Sequence, residues 1–195
     1  MGLSVNDLPC GLVLIGLRGS GKSTVGRALA LRCHSVFVDL DELVIAEFAE
    51  DSVREIWDRH GEEAWREAES RLALATFTDL RGDMVLALGG GTAMMTEVRE
   101  GLRELKRSGG AVVVYLRGEP EILLERLKEK EGDRPRLTGE DDLLQEIQAV
   151  YGERDSVYSE VADLVIGLQE EEVDETVGRI VDELVENYFE GEKEG

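Results

Sequence analysis

The chain has 195 residues, of which 42% are hydrophobic, and this predicts one globular domain that buries about 70% of its unfolded surface. The formal net charge of −21 argues against a nucleic acid or an anionic membrane as partner, because such binding needs clustered Lys and Arg. The longest apolar runs, near residues 12–17 and 111–116, are too short to span a bilayer, and residues 1–9 carry no basic cluster, so we expect no signal peptide and a cytoplasmic protein.

The first predicted element is a short apolar strand, residues 12–15, that runs into the loop GLRGSGKS at residues 16–23. This loop fits the phosphate-binding pattern G-x-x-x-x-G-K-[ST] at every fixed position. Its glycines let backbone N–H groups face a phosphate chain, while Lys22 supplies positive charge and Ser23 a hydroxyl ligand for Mg²⁺. The strand before the loop and the helix after it favour this interpretation over the alternative, a glycine-rich turn that binds nothing. We predict a nucleotide site formed by Gly19, Ser20, Gly21, Lys22, Ser23 and Thr24.

Two carboxylates end the next predicted strand, which covers residues 35–41 with the sequence SVFVDLD. Residues two apart on an extended strand face the same side, so Asp39 and Asp41 can project together. The carboxyl end of a strand is also where parallel sheets bind ligands. The alternative is that Asp41 caps the helix that begins after it.

Helical periodicity follows and is interrupted by a glycine. A capping box at residues 52–55 opens a short helix, and Gly61 ends it. A longer helix covers residues 62–78, on which Arg66 and Glu69 lie one turn apart. Taken alone, this pair would be interpreted as a surface ion pair.

A buried strand over residues 84–88 runs directly into three glycines, Gly89, Gly90 and Gly91. Glycines at the carboxyl end of a strand leave backbone N–H groups open to a ligand, although a flexible turn is the alternative. A helix over residues 97–106 and an apolar strand over 111–116 follow.

The last third of the chain begins with a helix from Pro120. A polar segment at about residues 131–140, bounded by glycines, predicts a mobile lid. Helical spacing then returns before a short strand at residues 163–166 and a final helix over 173–188.

The alternation of strands and helices predicts an α/β fold with three layers, α/β/α, around a five-stranded parallel sheet. We expect a single domain with a core of about residues 10–188 and an acidic tail at 190–195. The candidate sites at the strand ends would then meet in one crevice.

Together, these motifs closely resemble the shikimate kinases, a family in the nucleoside monophosphate kinase-like group of P-loop proteins. The resemblance covers residues 12–184 and rests on the phosphate loop and on Asp39-x-Asp41, Gly61-Glu62-x-x-x-Arg66-x-x-Glu69, Gly89-Gly90-Gly91, Arg134-Pro135 and Arg154-x-x-x-Tyr158. It implies a P-loop kinase fold with a lid and a shikimate-binding region at about 39–69. It also implies a monomer that uses ATP and Mg²⁺ to phosphorylate the 3-hydroxyl of shikimate in aromatic amino-acid biosynthesis.

The resemblance also implies roles for individual residues. The implied catalytic residues are Lys22, Asp39 and Arg134, and the implied Mg²⁺ ligands are Ser23 and Asp39. Besides the phosphate loop, ATP would contact Arg126 and Arg134. Asp41 would accept hydrogen bonds from shikimate hydroxyls. Arg66 and Arg154 would hold the shikimate carboxylate, because a guanidinium group can donate two parallel hydrogen bonds to a carboxylate. The implied substrate-binding set is Asp41, Arg66, Gly89, Gly90, Gly91 and Arg154.

Three features depart from the family pattern. No Asp follows the apolar strands near residues 86 and 114, so the usual Walker B acid is missing and Asp39 is the best carboxylate for the metal. Arg136 follows Arg134 closely, and either could reach the phosphates. Trp65 occupies an aromatic position before Arg66 and is expected to narrow the pocket.

The alternatives to a shikimate kinase come from two classes. A gluconate kinase, or another small-metabolite or nucleoside monophosphate kinase of the same fold, would share the phosphate loop and lid. A nucleotide-gated binding module is the alternative without catalysis. A GTPase normally carries Asn-Lys-x-Asp, but neither Asn6 nor Asn187 is followed by Lys.

The acidic composition leads to a prediction about salt. Only five lysines stand against 43 acidic residues, as on the surfaces of proteins adapted to high salt; a solvated acidic surface with arginine-rich codon bias is the alternative. If the composition is an adaptation, kinase activity will rise from low to molar KCl, because salt screens the repulsion between like charges. At 1 M salt the screening length is about 3 Å. A flat activity profile over this range would contradict the adaptation.

Overall fold

Alternating strands and helices make up the residues that the computed structural model describes, 10–129 and 143–189. The strands are β1 Gly11–Ile15, β2 Val36–Asp39, β3 Met84–Ala87, β4 Ala111–Arg117 and β5 Leu164–Gly167. The α-helices are α1 Lys22–Arg32, α2 Leu40–Phe48, α3 Val53–Asp79, α4 Thr96–Ser108, α5 Pro120–Glu129, α6 Leu143–Val161 and α7 Val173–Leu184. A 3₁₀ turn, Thr92–Met94, precedes α4, and a π-helical segment, Val185–Phe189, follows α7.

The five strands form one parallel sheet in the order β2-β3-β1-β4-β5. Strand β1 is central, and its Leu12 lies opposite Val85 on β3 and Val112 on β4. All five residues of β1 are buried, as expected for a strand covered by helices on both faces. The α/β class and the five-stranded parallel sheet predicted from the sequence are confirmed.

Two hydrophobic cores lie on opposite faces of this sheet, because successive side chains of a strand point in opposite directions. On one face, Val13 and Ile15 belong to a cluster that α3, α4 and α6 complete. On the other face, Leu12 and Leu14 pack in a cluster with side chains of α1 and α7. The sheet therefore holds the three layers together through its alternating apolar side chains.

A third, smaller cluster joins α2 to α3 beside the sheet, and its members are Val44, Val53, Ile56, Trp65 and Ala68. Helix α3 is kinked at Gly61, whose backbone has φ 84° and ψ 162°. The predicted break at Gly61 is therefore present, with helical turns continuing on both sides of it. The kink separates the turns that carry Val53 and Ile56 from those that carry Trp65 and Ala68.

The predicted placement of Asp41 on a strand is wrong. Strand β2 ends at Asp39, and α2 starts at Leu40, so Asp41 lies in the first helical turn. Asp39 is the N-cap of α2, because its carboxylate accepts a hydrogen bond from the backbone N–H of Asp41. This cap lets α2 begin at Leu40, whose side chain is fully buried.

Some sequence-based expectations fall outside the described ranges. These are the lid at about 131–140 with Arg134 and Arg136, and the acidic tail at 190–195. Within residues 10–129 and 143–189, we find no helix that is both long and apolar enough to cross a membrane.

The kink in α3 gives a stability prediction. The backbone angles of Gly61 lie in a region that is nearly exclusive to glycine, and no atom lies within 4 Å of an added Cβ. Gly61→Ala should therefore lower the free energy of unfolding by about 1–3 kcal/mol through backbone strain alone. Urea denaturation followed by circular dichroism measures the change.

The same substitution at Gly152 is the matched control. Gly152 lies inside α6, is exposed, and also has open space around an added Cβ. Alanine is the better helix former, so Gly152→Ala should raise the free energy of unfolding by up to about 1 kcal/mol. Changes of the same sign at both positions would contradict the strain argument.

Candidate active site

The phosphate loop lies at the carboxyl end of the central strand β1, as the sequence predicted. The ammonium group of Lys22 donates hydrogen bonds to the carbonyl oxygens of Gly16, at 2.9 Å, and Leu17, at 3.1 Å. Lys22 thereby links the end of the loop back to its beginning. The backbone N–H of Val25 bonds to the carbonyl of Gly21, so the loop passes directly into α1.

Ser23, at the end of the phosphate loop, lies next to Asp39, at the end of β2. The Ser23 hydroxyl donates to Oδ2 of Asp39 at 2.5 Å, and Oδ1 of Asp39 accepts from the backbone of Asp41 at 3.0 Å. A hydroxyl and a carboxylate are the hard oxygen donors that suit Mg²⁺, which takes its remaining ligands from phosphates and water. Across the described ranges, no cluster of three His, Cys, Asp or Glu forms a metal site built from protein alone.

Helix α5 covers the phosphate loop and carries Arg126. The Arg126 guanidinium donates to the carbonyl oxygen of Gln169 at 3.1 Å and lies 3.5 Å from the carbonyl oxygen of Ser20. Leu127, on the same helix, lies against Gly19, because a Cβ there would be 2.9 Å from its Cγ. Arg126 therefore lies at the edge of the predicted nucleotide site.

A cleft opens next to the phosphate loop and encloses about 790 Å³, including space open to solvent. Apolar and polar side chains both line it. The polar and glycine lining consists of Arg18, Asp41, Arg66, Glu69, Gly90, Gly91, Glu146 and Arg154.

Glu69 is the buried centre of one cleft wall, with only 1% of its surface exposed. Its carboxylate accepts a hydrogen bond from Nη1 of Arg66 at 2.8 Å and another from the hydroxyl of Thr92. Burial raises the pKa of Glu69, and these two hydrogen bonds oppose that rise. The pair is therefore not the surface ion pair that spacing alone suggested.

Gly89 shows how tightly the glycine loop packs on this pair. A Cβ at Gly89 would lie 2.2 Å from Oε1 of Glu69 and 2.7 Å from Oδ1 of Asp41. Only a residue without a side chain allows both carboxylates to approach the backbone there. Steric exclusion of a side chain therefore explains why the first of the three predicted glycines is a glycine. Asp41, which is 8% exposed, faces this loop.

Arg154 reaches the same loop from α6. Its Nη1 donates to the carbonyl oxygen of Gly90 at 2.7 Å, and the hydroxyl of Tyr158 donates to the same oxygen at 2.6 Å. A Cβ at Gly91 would lie 3.0 Å from Nη1 of Arg66 and 3.5 Å from Nη1 of Arg154. The two guanidinium groups therefore converge on Gly91, although they are far apart in the sequence.

The tryptophans of the chain, Trp57 and Trp65, line the cleft. Trp65 is almost fully buried, and the Arg66 guanidinium lies 5.8 Å from the centre of the Trp57 ring. These rings place Arg66 beside an apolar wall, where its attraction for an anion is less screened by water.

Every site residue predicted within the described ranges lies at the phosphate loop or lines the adjoining cleft, apart from Gly89, which packs directly behind it. Among the polar and aromatic residues of the cleft, Arg18, Trp57 and Glu146 were not predicted, and neither was the role of Thr92. Arg18 could have been found from its position inside the phosphate loop. For Thr92 and Glu146 the sequence carries no signal, because their contacts depend on the packing of separate segments.

Comparisons with known proteins agree on one family. A family model described as Shikimate kinase matches residues 18–185. The shikimate kinase of Chromobacterium violaceum is 37% identical over 176 residues, which cover 89% of this chain and 89% of that protein. That of Symbiobacterium thermophilum is also 37% identical, covering 90% of this chain and 96% of the relative.

Solved structures of shikimate kinases are also similar to this chain. The shikimate kinase from Acinetobacter baumannii in complex with shikimate is similar with a TM-score of 0.82 at 27% identity, covering 93% of this chain and 97% of that one. The shikimate kinase from Aquifex aeolicus is similar with a TM-score of 0.70 at 29% identity, covering 90% of this chain and 96% of that one.

The contacts of Lys22 lead to a prediction about the phosphate loop. Lys22→Met keeps the length of the side chain but removes two hydrogen bonds from a charged donor. We expect the free energy of unfolding of the nucleotide-free protein to fall by about 2 kcal/mol and the affinity for ATP to fall more than about tenfold. Thermal denaturation and calorimetric titration with ATP measure the two effects.

Lys128→Met is the matched control, since Lys128 is exposed on α5. It should change neither quantity measurably. A Lys22→Met protein that loses ATP affinity but keeps full stability would show that the two carbonyl contacts do not hold the loop.

Proposed function

Because the chain belongs to the shikimate kinase family, we propose that it transfers the γ-phosphoryl group of ATP to the 3-hydroxyl of shikimate. One observation carries the choice of acceptor. Arg66 and Arg154 converge on Gly91 within a cleft that adjoins the phosphate loop, so an anionic group of the acceptor has a place beside the nucleotide. Shikimate has one carboxylate to fill that place.

The two arginines hold the shikimate carboxylate in this proposal. A guanidinium can donate two parallel hydrogen bonds to a carboxylate. Arg66 is already held by Glu69 through Nη1 and by Glu62 through Nε and Nη2, so the acceptor takes the donor hydrogens that remain on Nη1 and Nη2. Arg154 is similarly fixed by the carbonyl oxygen of Gly90. The carboxylate thus meets donors whose positions are set before it binds, which reduces the entropy lost on binding.

Asp41 orients the ring of the acceptor. Its carboxylate is almost buried, lines the cleft and can accept hydrogen bonds from two ring hydroxyls. Backbone groups of Gly90 and Gly91 border the same space, and Gly89 allows Asp41 to approach. Fixing the ring at both the carboxylate and the hydroxyls directs the 3-hydroxyl toward the phosphate loop.

ATP occupies the loop from Gly19 to Thr24. Lys22 exchanges its contacts with the loop carbonyls for the β- and γ-phosphates, and Arg126 lies on the adenine side. Ser23 and Asp39 supply oxygen ligands for Mg²⁺, which neutralises charge on the phosphates when bound.

The transfer step depends mainly on positioning and charge. The 3-hydroxyl oxygen forms a bond to the γ-phosphorus as the bond to the bridging oxygen of ADP breaks, and the hydroxyl proton passes toward Asp39, directly or through one water. Arg134 or Arg136, both outside the described residues, stabilises charge on the transferring group in this proposal. Turnover of about 1–100 per second is expected for such a kinase.

In this proposal the chain acts as a single-domain monomer in the cytoplasm, with residues 39–69 as the shikimate-binding region. The remaining candidates within the fold are gluconate and nucleoside monophosphates as acceptors, and binding without catalysis is the candidate outside it.

The function is tested by measuring ADP release with Mg²⁺ and ATP in the presence of shikimate, gluconate or nucleoside monophosphates. We expect turnover with shikimate only. Arg66→Ala and Arg154→Ala should each lower kcat/KM for shikimate by about 100-fold, since each removes a charge-assisted contact with the carboxylate.

Arg71→Ala is the control, because Arg71 is on the same helix as Arg66 but is exposed and pairs with Glu47. It should keep nearly full activity. Turnover with gluconate or a nucleotide but not with shikimate would overturn the substrate, and ATP binding without any transfer would overturn the kinase reaction.

A further inference from the structure

A group of hydrogen bonds joins α6 to the end of β4. Arg117, the last residue of β4, donates from Nε to Oδ1 of Asp155 at 2.8 Å and from Nη2 to Oδ2 at 2.9 Å. The buried hydroxyl of Tyr115 donates to the same Oδ1 at 2.9 Å. We call these three contacts, between Asp155, Arg117 and Tyr115, the α6 latch.

The latch holds the residue that follows Arg154 in the sequence. Successive residues of an α-helix point about 100° apart, so Asp155 can face the sheet while Arg154 faces the cleft. Holding the Asp155 carboxylate at both oxygens restricts the rotation of α6 about its axis, in addition to the packing of its buried side chains Ile147, Val150, Tyr158 and Val161. That rotation determines where the Arg154 guanidinium lies relative to Gly90 and Gly91.

The residues of the α6 latch are suited to orienting α6 and contribute little to the free energy of folding. The Arg117 side chain is 40% exposed, and exposed ion pairs contribute little to folding because water and salt screen them. Two parallel bonds from a guanidinium to a carboxylate nevertheless define a plane and an angle. Tyr115 adds a third donor from inside the core, and its ring packs edge-on against Tyr158, which also bonds to Gly90.

The same arginine reaches one turn back along α6. Its Nε lies 3.0 Å from the hydroxyl of Tyr151, and that hydroxyl donates to Glu119 at 3.1 Å, just before α5 begins. Arg117 therefore contacts α6 at two successive turns, which further restricts rotation of the helix.

We propose that Asp155 is a positioning residue for Arg154, and that the α6 latch determines how tightly Arg154 binds the carboxylate of the acceptor. The identity of that acceptor as shikimate rests on the function proposed above. Asp155 does not touch the acceptor, so its effect on binding passes entirely through Arg154.

A double-mutant cycle on shikimate affinity tests this proposal. Asp155→Asn keeps the size of the side chain but leaves one acceptor oxygen for three donors, so the latch loses part of its contacts. Calorimetric titration should show the Kd for shikimate rising about tenfold in the wild-type background and less than about twofold in the Arg154→Ala background. KM for ATP should be unchanged in the single variant.

Two further variants are measured beside this cycle. Arg117→Met removes the other half of the latch and should give the same pattern as Asp155→Asn. Glu160→Gln is the matched control, because Glu160 also lies on α6 and forms an ion pair with Arg103, but is 62% exposed. It should leave the Kd for shikimate unchanged.

The outcomes separate a positioning role from a structural one. Equal losses of affinity in the two backgrounds, or no loss in either, would overturn the proposal, as would a parallel rise in KM for ATP. If the wild-type protein does not bind shikimate, the proposed function fails instead, and the same cycle is then measured with the acceptor that the ADP-release assay identifies.

Discussion

The geometry of the cleft depends on one buried carboxylate, that of Glu69. With 1% of its surface exposed, it needs partners to offset the loss of hydration, and it has them in Arg66 and Thr92. These contacts join α3 to the turn that follows β3. They also explain Gly89, since any side chain there would collide with Glu69. The position of Arg66 is therefore set by folding before a ligand arrives.

The parallel sheet brings this wall to the phosphate loop. Strands β1, β2 and β3 end on the same edge, so Lys22, Asp39 and the glycine loop meet there. Local charge in the cleft differs from that of the whole protein. The chain carries a net charge of −21, yet Arg18, Arg66 and Arg154 balance the three acids that line the cleft. The lining of the cleft is therefore close to neutral, and the acidic groups elsewhere on the protein oppose an anionic acceptor only weakly because salt screens distant charges.

Much of this architecture could be predicted from the sequence, because it depends on local patterns. The apolar runs predicted the strands, the glycine pattern predicted the phosphate loop, and the break at Gly61 followed from its lack of a side chain. The end of β2 was misplaced, because the capping of α2 by Asp39 is a property of the folded chain. The burial of Glu69 could not be predicted for a similar reason: the spacing to Arg66 fits an exposed pair equally well. The α6 latch joins residues of β4 and α6, and only the packing reveals it.

The central claim is that Arg66 and Arg154 hold the carboxylate of the acceptor beside the phosphate loop. A crystal structure of the protein with ADP, Mg²⁺ and shikimate tests it most directly. We expect the shikimate carboxylate to lie within about 3 Å of both guanidinium groups, with ring hydroxyls on Asp41 and the 3-hydroxyl facing the loop. A carboxylate bound away from either arginine, or a ring turned so that the 3-hydroxyl faces away from Lys22, would contradict the account.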